Sequence, residues 1–201
     1  MRRREFLKNL LAVTVPAAGC GWWVGGGLRG AGAGEPPVRP PGAVAEAEFL
    51  ARCIRCLRCA EACPNNAIVA LDDSRGRDRA GTPAIQPRRQ ACMLCNKVPG
   101  DALRCTAMCP TGALQRIGKN PDEIRRRVKM GTAVLDKKLC YSYNDWTCGA
   151  CYRACPLPGE AMSLGLWERP EVLAGGCVGC GLCERACIRY PRAIRVRTVA
   201  A

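Results

Sequence analysis

The chain has 201 residues, 17 cysteines, no histidine and a formal charge of +14. Without histidine, Ser-His-Asp and Cys-His nucleophile systems, His-based zinc sites and His-ligated haem cannot be built. Twenty-two glycines, 15 prolines and few aromatic residues leave a thin apolar core, so cysteine must supply part of the stapling.

In chain order, the first predicted element is an address. Residues 1–33 run from a basic start through a moderately apolar stretch to Ala31-Gly32-Ala33, which fits an A-x-A cleavage site. Within it, Arg3 to Lys8, "RREFLK", resembles the twin-arginine export signal, with Arg2 where Ser or Thr is usual. The alternative is an uncleaved anchor over Asn9 to Leu28, although Pro16 and several glycines make a poor span. Cys20 lies in "AAGC", which lacks the usual leucine of a lipoprotein box, so lipidation is not expected. Gly25, Gly27 and Gly30 satisfy G-x-G-x-x-G, but no strand, helix or acidic residue stands where a nucleotide fold needs one. The Pro- and Gly-rich residues 34–47 read as a linker, and residues 48–197 as the functional domain.

Sixteen cysteines then fall into four groups of four. The first is Cys53, Cys56, Cys59 and Cys63, spaced C-x2-C-x2-C-x3-C-P. The second, Cys92, Cys95, Cys105 and Cys109, and the third, Cys140, Cys148, Cys151 and Cys155, stretch that pattern and keep the closing proline. The fourth, Cys177, Cys180, Cys183 and Cys187, restores the first spacing with Ile188 in place of proline. An apolar echo follows each group, in "CPNNAI", "CPTGAL", "CPLPGEAM" and "CIRYPRAI". It predicts a short strand after each cysteine loop, packed over whatever the sulfurs hold. Another strand is expected in "GTAVLDKKLC", ahead of Cys140.

C-x2-C-x2-C-x3-C-P is the bacterial ferredoxin run for [4Fe-4S] clusters. Three cysteines two residues apart wrap one loop around a cube. The fourth lies across a tight turn and reaches the other cluster of a pair, and the proline after it starts the chain away from that turn. Zinc is the first competing use, but its knuckles give no role to the third cysteine of a triple run. Disulfides are the second, and cysteines two residues apart in tight loops are badly placed for unstrained bridges. Sixteen thiolates therefore predict four [4Fe-4S] clusters. The signal agrees, because the twin-arginine route carries folded proteins whose clusters were inserted before export.

The charge then loses its first meaning. A net +4 resides in residues 1–33, and four oxidised cubes with their thiolates bring about −8. The remaining balance is small, and no nucleic-acid partner is expected. Asp72/Asp73 and Asp122/Glu123 are acidic pairs in polar loops rather than acid–base machinery. Arg125, Arg126 and Arg127 read as a solvated helix face, with an acidic docking partner as the alternative. Tyr143 and Trp146, inside the long gap of the third group, read as cover for a cluster ahead of a partner contact.

With signal and cysteines together, the chain resembles the MauM/NapG family of ferredoxin-type proteins over residues 48–197. The more specific marks are "CTAMCPTGAL" from Cys105, "TCGACYRACPL" from Thr147 and "CVGCGLCERACI" from Cys177. The resemblance implies an α+β fold of two ferredoxin-like halves, loop-rich, with small sheets and short helices around the clusters. It implies a periplasmic electron carrier, peripheral to the inner membrane and not an enzyme by itself. Its expected partners are a membrane-bound quinol-oxidising ferredoxin-type subunit and a periplasmic cytochrome or reductase, such as a nitrate reductase system. Two other roles stay open: the iron–sulfur subunit of a molybdenum oxidoreductase, and a maturation factor in the methylamine-utilisation branch. Resembling multi-cluster subunits nest their groups. Nesting pairs the first group (53–63) with the fourth (177–187) and the second (92–109) with the third (140–155). Sequential pairing is the alternative.

Overall fold

The computed structural model describes residues 36–198. The signal, Cys20 and the Gly25/Gly27/Gly30 pattern lie outside them. No helix among the described residues is long and apolar enough to cross a membrane.

Order begins earlier than the predicted linker allows. Val38, Arg39, Pro40 and Pro41 are buried, and Val38 bridges to Ile85. The Arg39 guanidinium sits 4.5 Å from the centre of the Phe49 ring. It donates to the Thr82 hydroxyl and the Pro83 carbonyl, both at 2.8 Å, and to both carboxylate oxygens of Glu46. A stretch that reads as a spacer from its prolines is thus a packed strap. Helix α1 follows (Glu46–Arg52), with Glu46 and Glu48 in its first turn and Arg52 in its last, as the helix dipole favours. It buries Phe49.

Four one-turn helices carry the cysteine loops: α2 (Arg58–Glu61), α3 (Arg104–Ala107), α5 (Ala150–Arg153) and α6 (Leu182–Ala186). Each holds the third cysteine of its group, and Cys59, Cys105, Cys151 and Cys183 are all buried. Between them, α4 (Pro121–Arg127) starts on Asn120, whose side chain accepts from the Glu123 N–H at 2.7 Å, with proline at the first helical position.

The sheets are three antiparallel pairs: β1 (Ile68–Ala70) with β2 (Pro83–Ile85), β3 (Thr132–Leu135) with β6 (Ile194–Arg197), and β4 (Met162–Leu164) with β5 (Pro170–Val172). Strands follow the first, third and fourth groups, and β3 precedes Cys140, as expected. After the second group the predicted strand shrinks to one bridge, Leu114 with Ala43, flanked by Gln115 N–H to Gly42 and Val44 N–H to Ala113. The reason lies in the partner: Pro40 and Pro41 have no N–H with which to extend a ladder.

Element order therefore repeats. Strap, first group, β1–β2, second group and closing bridge correspond to β3, third group, β4–β5, fourth group and β6. The repeats meet along backbone. Cys92 of the first donates its N–H to the Cys180 carbonyl of the second at 2.9 Å. Gly181, at φ 84°, is required here, because a Cβ would come within 2.5 Å of Pro87. One apolar cluster crosses the seam, joining Val38, Phe49 and Leu103 to Val178 and Val196.

Candidate iron–sulfur centres

Four cavities of one size, ≈ 20 Å³ each, lie in a row of cysteine loops, and each is lined by four cysteines. The first takes Cys53, Cys56 and Cys59 with Cys109. The second takes Cys92, Cys95 and Cys105 with Cys63. Cys177, Cys180 and Cys183 line the third with Cys155, and Cys140, Cys148 and Cys151 line the fourth with Cys187. All sixteen cysteines that the sequence singles out are used once, and all are free thiols.

The crossing of each last cysteine follows the ferredoxin rule, but the nested pairing does not survive. Cys63 faces the second group rather than the fourth, and Cys109 the first rather than the third. The cause is the short reach around β1–β2 and α3. Residues 64–91 fold back on themselves, so the loop of Cys92 lands beside Cys63 before the chain can reach the other repeat.

The loops are shaped by left-handed backbone. Leu57, Gly149 and Gly181 each stand two residues before the buried third cysteine, at φ 56°, 55° and 84°. Arg55, Leu94 and Gly179 add further positive values, one residue before Cys56, Cys95 and Cys180. Such turns fold successive N–H groups into a concavity that favours negative charge. Backbone N–H groups in and around the loops reach the sulfurs: Ala67 donates to Cys63 at 3.3 Å, and Leu94, Arg104 and Leu114 donate to Cys92, Cys95 and Cys109 at 3.4 Å. Ala133 donates to Cys177 at 3.5 Å. Cysteine spacing does not reveal these backbone donors; the paired glycines of "CVGCGLC" are the one visible trace.

Electrostatics disfavour ionised thiols in these quartets unless a positive group joins them. Burial pushes Cys92 and Cys180 up to about 12 and Cys59 and Cys151 up to about 11, and neighbouring cysteines add to the rise. Burial also drives Cys105, Cys183 and Cys155 upward. On Cys109 desolvation acts the same way, but the N–H groups of Leu114, Thr111 and Gly112 and the Thr111 hydroxyl outweigh it. A group that ligates through thiolates must therefore bring its own positive charge into an apolar space. A single ion does not suit the spacing: among the described residues, no three Cys, Asp or Glu side chains are arranged to hold one. A four-iron cube fits the donor set, the equal cavities and the N–H···S pattern.

The same interactions order the cavities. Cys59 of the first acts on Cys105 of the second, Cys92 of the second is acted on by Cys180 of the third, and Cys183 of the third by Cys151 of the fourth. In space the sequence groups run first, second, fourth, third.

The remaining candidates stay at the surface. Asp72 caps Ser74, Asp122 pairs with Arg125, and Glu123 with Arg127. Arg125 also holds Glu160, so the triple-arginine face is largely committed to ion pairs on its own molecule. Tyr143 is half-buried and donates its hydroxyl to the Pro170 carbonyl at 3.2 Å, but it lines none of the four cavities. Trp146 is not cover: it is 72% exposed.

Comparison with known proteins agrees with the pairing. The 4Fe-4S dicluster domain family matches residues 52–113, which hold the first and second groups as one unit. The NapG ferredoxin-type protein of Escherichia coli is 34% identical over 205 residues, covering 96% of this chain and 84% of its own length. The methylamine utilization ferredoxin-type protein MauM of Methylobacillus flagellatus is 39% identical over 167 residues, covering 79% and 67%. The ferredoxin-type protein NapF of Escherichia coli is more distant, at 26% over 160 residues. The chain belongs to the MauM/NapG family of ferredoxin-type proteins, iron–sulfur carriers of electrons.

Proposed function

We propose that the chain is a four-cluster electron relay built from two ferredoxin-like halves, exported to the periplasm by its twin-arginine signal and peripheral to the inner membrane. It receives electrons from a membrane-bound quinol-oxidising ferredoxin-type subunit. It delivers them to a periplasmic cytochrome or reductase, such as a nitrate reductase system, and does no substrate chemistry of its own. Each bound [4Fe-4S] group supplies one reversible electron-accepting centre. The chain's residues do the rest: four cysteines per cavity hold the group, the N–H donors temper the charge on the sulfurs, and apolar linings keep water away.

The observation that carries this reading is the row of four equal cavities, each with four cysteines and each beside the next. Iron and acid-labile sulfide analysis of anaerobically purified protein tests it. About sixteen irons per chain are expected; colourless protein without sulfide overturns it. In cells lacking the chain, the acceptor enzyme should stay fully assembled yet receive no electrons from quinol. Loss of assembly would instead favour a maturation role.

A further inference from the structure

The fourth cavity has an unusual exterior. Three segments converge on it, represented by Tyr141, Pro170 and Ile188 in its lining. These segments also carry Trp146, Leu166, Trp167, Ile188 and Tyr190, all between 70 and 85% exposed. The segments are braced together. Arg153 of α5 pairs with Glu168 at 2.8 Å, Tyr143 bonds Pro170, and the Arg189 guanidinium lies 5.4 Å from the Tyr141 ring centre. Trp167 and Glu168 take φ of 60° and 54°, so the turn is held in left-handed backbone while its Trp and Leu face solvent. Cations flank the patch: Lys137 and Arg169 lie 5.0 and 5.6 Å from the Tyr143 ring, and Arg189 stands between Ile188 and Tyr190.

These aromatic and aliphatic side chains stand largely exposed on segments braced to one another, with lysine and arginine beside them. That combination suits the boundary of a charged bilayer. Trp and Tyr settle at the level of lipid headgroups, aliphatic residues enter the acyl boundary, and lysine and arginine pair with anionic headgroups. We infer that the end of the molecule carrying the fourth cavity docks on an anionic lipid bilayer. The consequence for electron flow rests on the relay proposed above, since docking would set the fourth centre nearest the membrane donor. The docking itself does not depend on that relay.

The test is flotation of the full iron-loaded chain with vesicles of phosphatidylcholine, with and without phosphatidylglycerol. The chain should float with the anionic vesicles, and the double variant Leu166→Ser/Trp167→Ser should lower partitioning about tenfold or more. Met108→Ser, outside this patch and lining none of the four cavities, should leave it unchanged, and iron content should be normal in all three. Hydroxyl-radical footprinting reads the face directly and independently of the N-terminal segment: Trp146, Trp167 and Tyr190 should become protected on anionic vesicles, while Met108 does not. The inference is overturned if these residues stay fully reactive on the vesicles. Protection before lipid is added, or only when a membrane protein is supplied, overturns it as well. Iron analysis tests the relay separately, so the two can fail independently.

Discussion

At Arg55 and Leu57 the backbone takes φ of 57° and 56°, where the corresponding loop of the fourth group places Gly179 and Gly181. A left-handed residue with a side chain costs about 1–2 kcal/mol. The first loop accepts that strain at two positions, which is sensible only if something inside the loop repays it; a bound cube does so. The crossing cysteines give the sharpest test at this scale. Cys63→Ser and Cys92→Ser should each remove the same centre, so the double variant should keep about twelve irons, as each single variant does. Cys63→Ser combined with Cys59→Ser should drop to about eight, because those residues serve different cavities. Iron content with electron paramagnetic resonance reads the difference, and the reverse pattern would return the last cysteine to its own group. The four cysteine groups were legible in the sequence because spacing is a local property of a loop, whereas the last cysteine that completes each quartet was not. The exposure of Trp146 was not, since burial depends on what packs from elsewhere in the chain.

Helices of four or five residues cannot persist alone, since the first turn fixes many torsions for a single hydrogen bond. α2, α3, α5 and α6 exist because a buried cysteine pins each to a cavity. The strap is the counter-example, an element held by side chains. Its prolines signalled an open linker, and only the tertiary partners Thr82, Pro83, Glu46 and Phe49 reveal that Arg39 locks it down. Arg39→Met should therefore cost about 2–4 kcal/mol by stranding the polar groups around it. Thermal loss of cluster absorbance would show the lower stability, with iron content unchanged before heating. An unchanged midpoint would mean that the strap contributes nothing. The missing fourth strand has the same lesson. The apolar echo after Cys109 is present, but proline in the facing segment limits it to one bridge.

Across the whole molecule, the apolar clusters are built largely around cysteines, with Cys59, Cys95, Cys105 and Cys180 in one and Cys151 and Cys183 in the other. Stripping the iron should leave facing thiols around voids, and the chelated chain should lose cooperative unfolding. Differential scanning calorimetry checks this; a sharp endotherm from iron-free protein would contradict it. The pairing of the groups was the part of the architecture least legible beforehand. Which loop lands beside which is decided by how far residues 64–91 fold back, and spacing within a group says nothing about that.

The junction at Cys92 and Cys180 has a consequence of its own. Its bond runs from main chain to main chain, between two residues that themselves line adjacent cavities. The separation of the second and third cavities is therefore held in part by main chain, which side-chain substitutions leave in place. In the relay proposed above, adaptation to a donor or an acceptor would fall to the two end cavities, and the central spacing would stay as the main chain sets it.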